Sequence, residues 1–327
     1  MRNQVVTKAE YYHLGGWQAA WIVVAGSSSN PYRPGFIKCV IDERPLSLPT
    51  DVLKRKEQIE ADEALKESIY GKREFFNGRT LALEKVLHSE VDDSQPSSLI
   101  LQLRPSEYYN FLSTAISLDE IVLGPNGERI TLRDKYLSKV RYDEPIPEFA
   151  TALPINLSVI TNDGFILASK RGTDGIGGYR GHIAPAISEI ISPVSDVQLD
   201  GSVSVFSTAK RGARNELNIE TTDDEVLFFT IGVDAHWYFW GLTGLIRTTK
   251  FSKADILARR SLGSEERWES KELYFFPSNV GEAVREMREL STVDKWQPVA
   301  IVCTIQALIS EHGIEETEIA LKKHPPV

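Results

Sequence analysis

A chain of 327 residues with net charge -9, from 37 Lys and Arg against 46 Asp and Glu, lacks the basic surplus with which proteins grip nucleic acid through its phosphates. Extended nucleic acid is therefore not an expected partner, although a local basic pocket for a small phosphorylated ligand is compatible with this balance. The 42% hydrophobic and 25% charged content is that of an ordinary globular protein long enough for two domains. Cys39 and Cys303 lack CxxC or Cys/His spacing, which argues against a disulfide scaffold or zinc site and for a reducing compartment, the cytoplasm by default.

In chain order, Trp17 to Gly26 (W-Q-A-A-W-I-V-V-A-G) is too short to span a bilayer, and Gln18 and two tryptophans spoil it as a signal peptide. It reads as a buried strand ending in a Gly/Ser turn, and no membrane contact is expected. From Thr50 to Lys72, Val52, Ile59, Leu65 and Ile69 stand among mixed charges, the pattern of a solvated helix stopped by Gly71. Leu81 to Val91 suits either a helix or a strand, and Leu99 to Leu103 is a strand. Pro105 to Thr114 opens like a helix with Ser106 as cap, and Gly124 to Gly127 is a turn between two short strands.

The segment Arg141 to Pro154 holds three prolines and no periodicity. It marks a boundary between an N-terminal α/β domain, residues 1–145, and a second domain, residues 146–327. There Ile155 to Thr161 and Phe165 to Lys170 flank Asn162-Asp163-Gly164, the strongest hairpin signal in the chain. A glycine-rich loop follows from Arg171 to Ile183, then a Ser/Pro/Asp segment from Ser188 to Val205. Next come the amphipathic stretch Thr208 to Glu220 (T-A-K-R-G-A-R-N-E-L-N-I-E), a strand from Val226 to Val233 and the aromatic run His236 to Ile246. The stretch from Pro298 to Gly313 is apolar on most faces, starts with proline and ends on glycine, as a buried helix does.

Strand, Asn-Asp-Gly turn, strand, glycine-rich loop, helix, strand: this order resembles the Nudix superfamily, whose signature ends in Arg-Glu-apolar-x-Glu-Glu-x-Gly-apolar. That last third falls on Arg211 to Ile219. Arg211, Ala213, Glu216 and Ile219 fit, whereas Gly212 and Asn215 stand where the family has glutamates and Asn218 where it has glycine. Asparagine tolerates a left-handed cap, while Gly212 costs the helix about 1 kcal/mol relative to alanine. Gly181 falls at the leading glycine, with Glu189 two residues off the expected glutamate and an insertion around Ser192 to Ser207. The resemblance implies an α/β fold, a Nudix-like α/β/α sandwich with a mixed sheet preceded by a smaller α/β domain.

In that family, glutamates on one helical face bind magnesium, which bridges to a diphosphate. The resemblance implies Glu216 and Glu189 as catalytic carboxylates and, with Asn215, as the magnesium site. Asp196, Asp200, Glu220 and Asp223-Asp224-Glu225 are acids that could substitute. Arg171, Arg180, Gly181, His182 and Arg211 are the expected contacts to a nucleotide-like phosphorylated ligand, since backbone amides freed of side chains beside two guanidiniums suit phosphate. Three functions stay open. They are a binder of a nucleoside diphosphate linked to another moiety, its hydrolysis weak or lost with a degenerate metal helix; an active magnesium-dependent pyrophosphohydrolase; and a regulatory scaffold with a protein partner.

Overall fold

The computed structural model describes residues 11–89, 97–124, 126–173, 179–263 and 270–326. Tyr12–Leu14 (β1) and Trp17–Ala19 (β2) form a short antiparallel pair, and Trp21–Gly26 (β3) follows. The apolar run expected to be one strand thus breaks into two at Ala20. Gly26, at φ 92°, ends it, because only a residue without Cβ turns there against the Phe229 carbonyl. Ile37–Ile41 (β4), helix Thr50–Tyr70 (α1), Arg79–Ser89 (β5), Ser98–Glu107 (β6) and helix Tyr108–Ser113 (α2) build the next part.

β4, β6 and β5 form a three-stranded sheet in that order. The ambiguous stretch from Leu81 is thereby a strand, paired antiparallel with β6, and its end at Val91 lies outside the described residues. Gly71 ends α1 in the left-handed conformation, but Leu65 and Ile69 are exposed. Pro105 to Glu107 remain in β6, so Glu107 and not Ser106 precedes α2. Ser106 instead accepts a hydrogen bond from Asn110 Nδ2 at 3.2 Å. Ile121–Leu123 (β7) and Arg129–Thr131 (β8) flank the expected turn, whose Pro125 lies outside the described residues.

Pro154–Ile160 (β9), Phe165–Arg171 (β10), Ile183–Pro185 (β11), Ile187–Ile190 (β12), helix Val205–Leu217 (α3), Val226–Asp234 (β13) and Phe239–Arg247 (β14) come next. Helix Lys253–Ser261 (α4), Ser270–Pro277 (β15) and helices Val280–Ser291 (α5), Pro298–His312 (α6) and Ile314–Lys323 (α7) complete the order. Eight strands make one mixed sheet, β11-β10-β9-β14-β13-β3, with β12 also on β9 and β15 on β10. β14 and β9 run parallel, in register Leu242 to Ile155.

Period-two alternation divides β9 between two cores. Ile155, Leu157 and Val159 join Phe206, Ala209 and Ala213 of α3, while Ile160 joins Val284 of α5 and Ile305 and Leu308 of α6. Helices cover both faces, and the result is an α/β sandwich. Each fully buried Val, Leu or Ile of α6 contributes about 1.5–3 kcal/mol. The chain crosses the boundary expected at residues 145 and 146: β3 pairs with β13 in the large sheet, and Leu81, Leu83 and Leu101 belong to the same core cluster as α3.

Candidate functional site

Helix α3 starts earlier than the quoted stretch. Ser204 caps it by accepting the Phe206 N–H at 3.2 Å, and Asn218 closes it at φ 55° in the left-handed conformation. Its Gly212 lies against β12. A Cβ placed there would meet Ile187 Cγ2 at 2.6 Å and Glu189 Cβ at 3.1 Å. Position 212 is thus a packing position, where a glutamate side chain would collide with the strand instead of reaching a metal.

Arg211 organises what surrounds it. Its guanidinium pairs with Glu189 Oε1 at 2.5 Å, donates to both oxygens of Asp196 at 2.9 Å and donates to the Ile190 carbonyl at 2.7 Å. Burial disfavours its charge, yet Asp196 and Glu189 hold its pKa above the ordinary value. Asp196, fully buried, also accepts from Thr208 Oγ1 at 2.8 Å and the Ser192 amide at 2.8 Å. The inserted segment thereby supplies the carboxylate that fixes Arg211. Glu216, only 7% exposed, accepts the Ser188 N–H at 2.7 Å, and Asn215 Nδ2 reaches Glu189 Oε2 at 3.5 Å.

Four of the other acids are engaged elsewhere. Glu220 pairs with Arg214, Asp223 with Lys210, Asp200 accepts from Ser202, and Glu225 accepts from Thr222 and Thr249. Among the described residues no three His, Cys, Asp or Glu side chains come together to hold a metal ion. The residues that the resemblance implies as magnesium ligands, Glu189, Glu216 and Asn215, supply two carboxylates and one amide, and Asn215 stands against Glu189.

A cavity of about 540 Å³ lies beside this corner. One wall comes from residues 74–80 and α2, the other from the adjoining ends of β9, β12, β13 and β14. Of the eight predicted site residues, Glu189 and Arg171 line it, while Arg211, Asn215 and Glu216 stand behind Glu189 and Ser188. Arg180, Gly181 and His182 do not line it. Arg180 is exposed, Gly181 takes φ 70°, and His182 Nδ1 lies 3.0 Å from the Arg180 carbonyl. Gly175, Gly177 and Gly178 lie outside the described residues.

Sequence reasoning missed the rest of the lining. Asp234, buried at the end of β13, accepts Tyr179 Oη at 2.7 Å and the amides of His236 and Trp237 at 2.8 and 3.2 Å. Burial pushes its carboxyl above the usual range, against those hydrogen bonds. Tyr108, Phe111 and Phe239 add half-buried rings. The aromatic run after His236 was the available signal for Phe239; nothing local marked α2 as its neighbour.

No protein-family model matches the sequence, and no curated protein matches it. Among solved structures, the chain is similar to DR0079 from Deinococcus radiodurans at 8% identity and TM-score 0.33, covering 56% of this chain and 96% of that one. It is also similar to a MutT/nudix family protein from Enterococcus faecalis at 9% identity and TM-score 0.26, covering 59% and 86%. At these scores neither likeness assigns the chain to a family. Among the described residues no helix is long and apolar enough to cross a membrane.

Proposed function

We propose that this chain is a Nudix-like binding protein for a nucleoside diphosphate linked to another moiety, with hydrolysis weak or lost. One observation carries the reading: the cavity holds Arg171 and Glu189 together, and the Glu189 carboxylate is already ion-paired by Arg211. A volume near 540 Å³ falls within the range of about 300–1,000 Å³ typical of small-molecule sites. Arg171 suits a phosphate, and the aromatic wall suits a flat ring. The arrangement supplies binding and orientation. Glu189 holds Arg211 and Glu216 holds the Ser188 amide, so neither of these two carboxylates is set aside for general-base work.

The test is a thermal-shift and calorimetric screen of nucleoside diphosphates, sugar nucleotides and dinucleotides, each with and without magnesium. The expected outcome is saturable stabilisation, about 2.7 kcal/mol at a ligand concentration 100 times Kd, equal in both conditions and weakened by Arg171→Ala. Magnesium-dependent turnover that Glu216→Gln abolishes would establish a hydrolase instead. A blank screen would leave the fold as a scaffold.

A further inference from the structure

The cavity contains a cation that the sequence reading passed over. Arg79 opens β5, is exposed and lines the cavity. Its cross-strand neighbour in register is Glu107, the opposite charge with which a surface arginine would ordinarily pair. That carboxylate is taken: Lys56 Nζ donates to Glu107 Oε2 at 2.9 Å and Asn77 Nδ2 at 2.6 Å. Glu74, also on the cavity wall, is taken by Lys66 at 2.5 Å. Among the described residues the Arg79 guanidinium has no carboxylate within ion-pair distance. Two lysines thus hold the neighbouring acids and leave five N–H donors of a fixed, planar fork on a cavity wall.

Beside it runs a wall of rings. Tyr108 and Phe111 of α2 lie 5.6 Å apart at 35°, and Phe111 meets Phe239 of β14 at 5.0 Å and 39°. All three line the cavity and are half-buried. Their packing carries an apolar surface from the N-terminal part onto the large sheet. Flat π-surfaces of this kind take a heteroaromatic ring by offset stacking, largely without regard to its substituents.

We propose that the ligand lays a flat ring against Tyr108, Phe111 and Phe239 and sets its diphosphate against Arg79, so that three residues outside the eight-stranded sheet, with Phe239 at its edge of the cavity, select the ligand. This rests on the nucleoside-diphosphate reading above and adds the residues that recognise each end. The N-terminal part is then half of the binding site.

Isothermal titration of the full chain with ADP, GDP, CDP and UDP, and with the four nucleosides, tests this. In Arg79→Gln the diphosphate that binds the native chain should weaken about tenfold or more, the loss expected of a hydrogen bond to a charged group, while its nucleoside changes less than about twofold. Phe111→Leu should weaken nucleoside and diphosphate alike. Because Arg79 is exposed, its variant tests the proposal even if Phe111→Leu fails to fold. A native chain that binds a diphosphate with unchanged affinity in Arg79→Gln overturns this inference and leaves the proposed function standing. A native chain that binds none of the eight compounds overturns this inference, and the proposed function falls with it only if the sugar nucleotides and dinucleotides of the screen above also fail to bind.

Discussion

Gly212 gives the sharpest test of how α3 is seated. Replacing it with alanine improves helix propensity by about 1 kcal/mol. The new Cβ, however, would stand 2.6 Å from Ile187 Cγ2, a fully buried core methyl, and 3.1 Å from Glu189 Cβ. Real contacts of this kind open to about 3.4 Å or more, so helix or strand must move; overpacking on this scale costs about 1–3 kcal/mol. Gly212→Ala should therefore be destabilising by about 0–2 kcal/mol despite the propensity gain. The partner methyl supplies the control: Ile187→Leu removes the β-branch at nearly constant volume. In that background Gly212→Ala should recover about 1 kcal/mol, visible as non-additivity in a double-mutant cycle by urea denaturation. An alanine variant more stable than the native chain, or a cost unchanged by Ile187→Leu, would refute the reasoning. The same geometry predicts that Gly212→Glu, which restores the signature, lowers stability without creating magnesium binding.

Arg211→Ala leaves Asp196 buried without its counter-charge and should cost about 3–5 kcal/mol, read as a lower urea midpoint. A loss below about 1 kcal/mol would show that this network is not what seats α3. Asp294 accepts Lys170 Nζ at 2.6 Å and Tyr274 Oη at 3.0 Å, and the lysine holds its carboxyl below the usual carboxylate range. A depressed folded pKa makes this contribution full above the ordinary value near pH 4 and lost as pH falls through the folded pKa. Asp294→Asn should cost less than about 1 kcal/mol at neutral pH, since the pair is partly exposed, and should flatten the acid limb of stability measured against pH. An unchanged acid limb would contradict the assignment.

What the sequence determined by itself was local. The hairpin at Asn162 to Gly164 followed from a turn dipeptide whose glycine takes φ 79°, and the left-handed cap at Asn218 from asparagine's tolerance of that conformation. The buried α6 followed from an apolar run between Pro298 and Gly313. These are short-range effects of backbone sterics and burial, carried by a few adjacent residues. The carboxylates of the degenerate helix were also visible, but not their partners: Arg211 to Asp196 and Glu216 to the Ser188 amide depend on where the inserted segment and β12 come to rest.

Only the tertiary structure decided that Gly212 is a packing position, because its constraint comes from Ile187 across a helix–strand contact. It alone decided that β3 enters the large sheet across an apparent boundary, since strand pairing depends on register between segments some 200 residues apart and not on the proline-rich stretch between them. The cavity is the extreme case. Arg79, Phe111, Glu189 and Phe239 carry no shared sequence signal, and they line one cavity because two sheets and α2 pack their ends together.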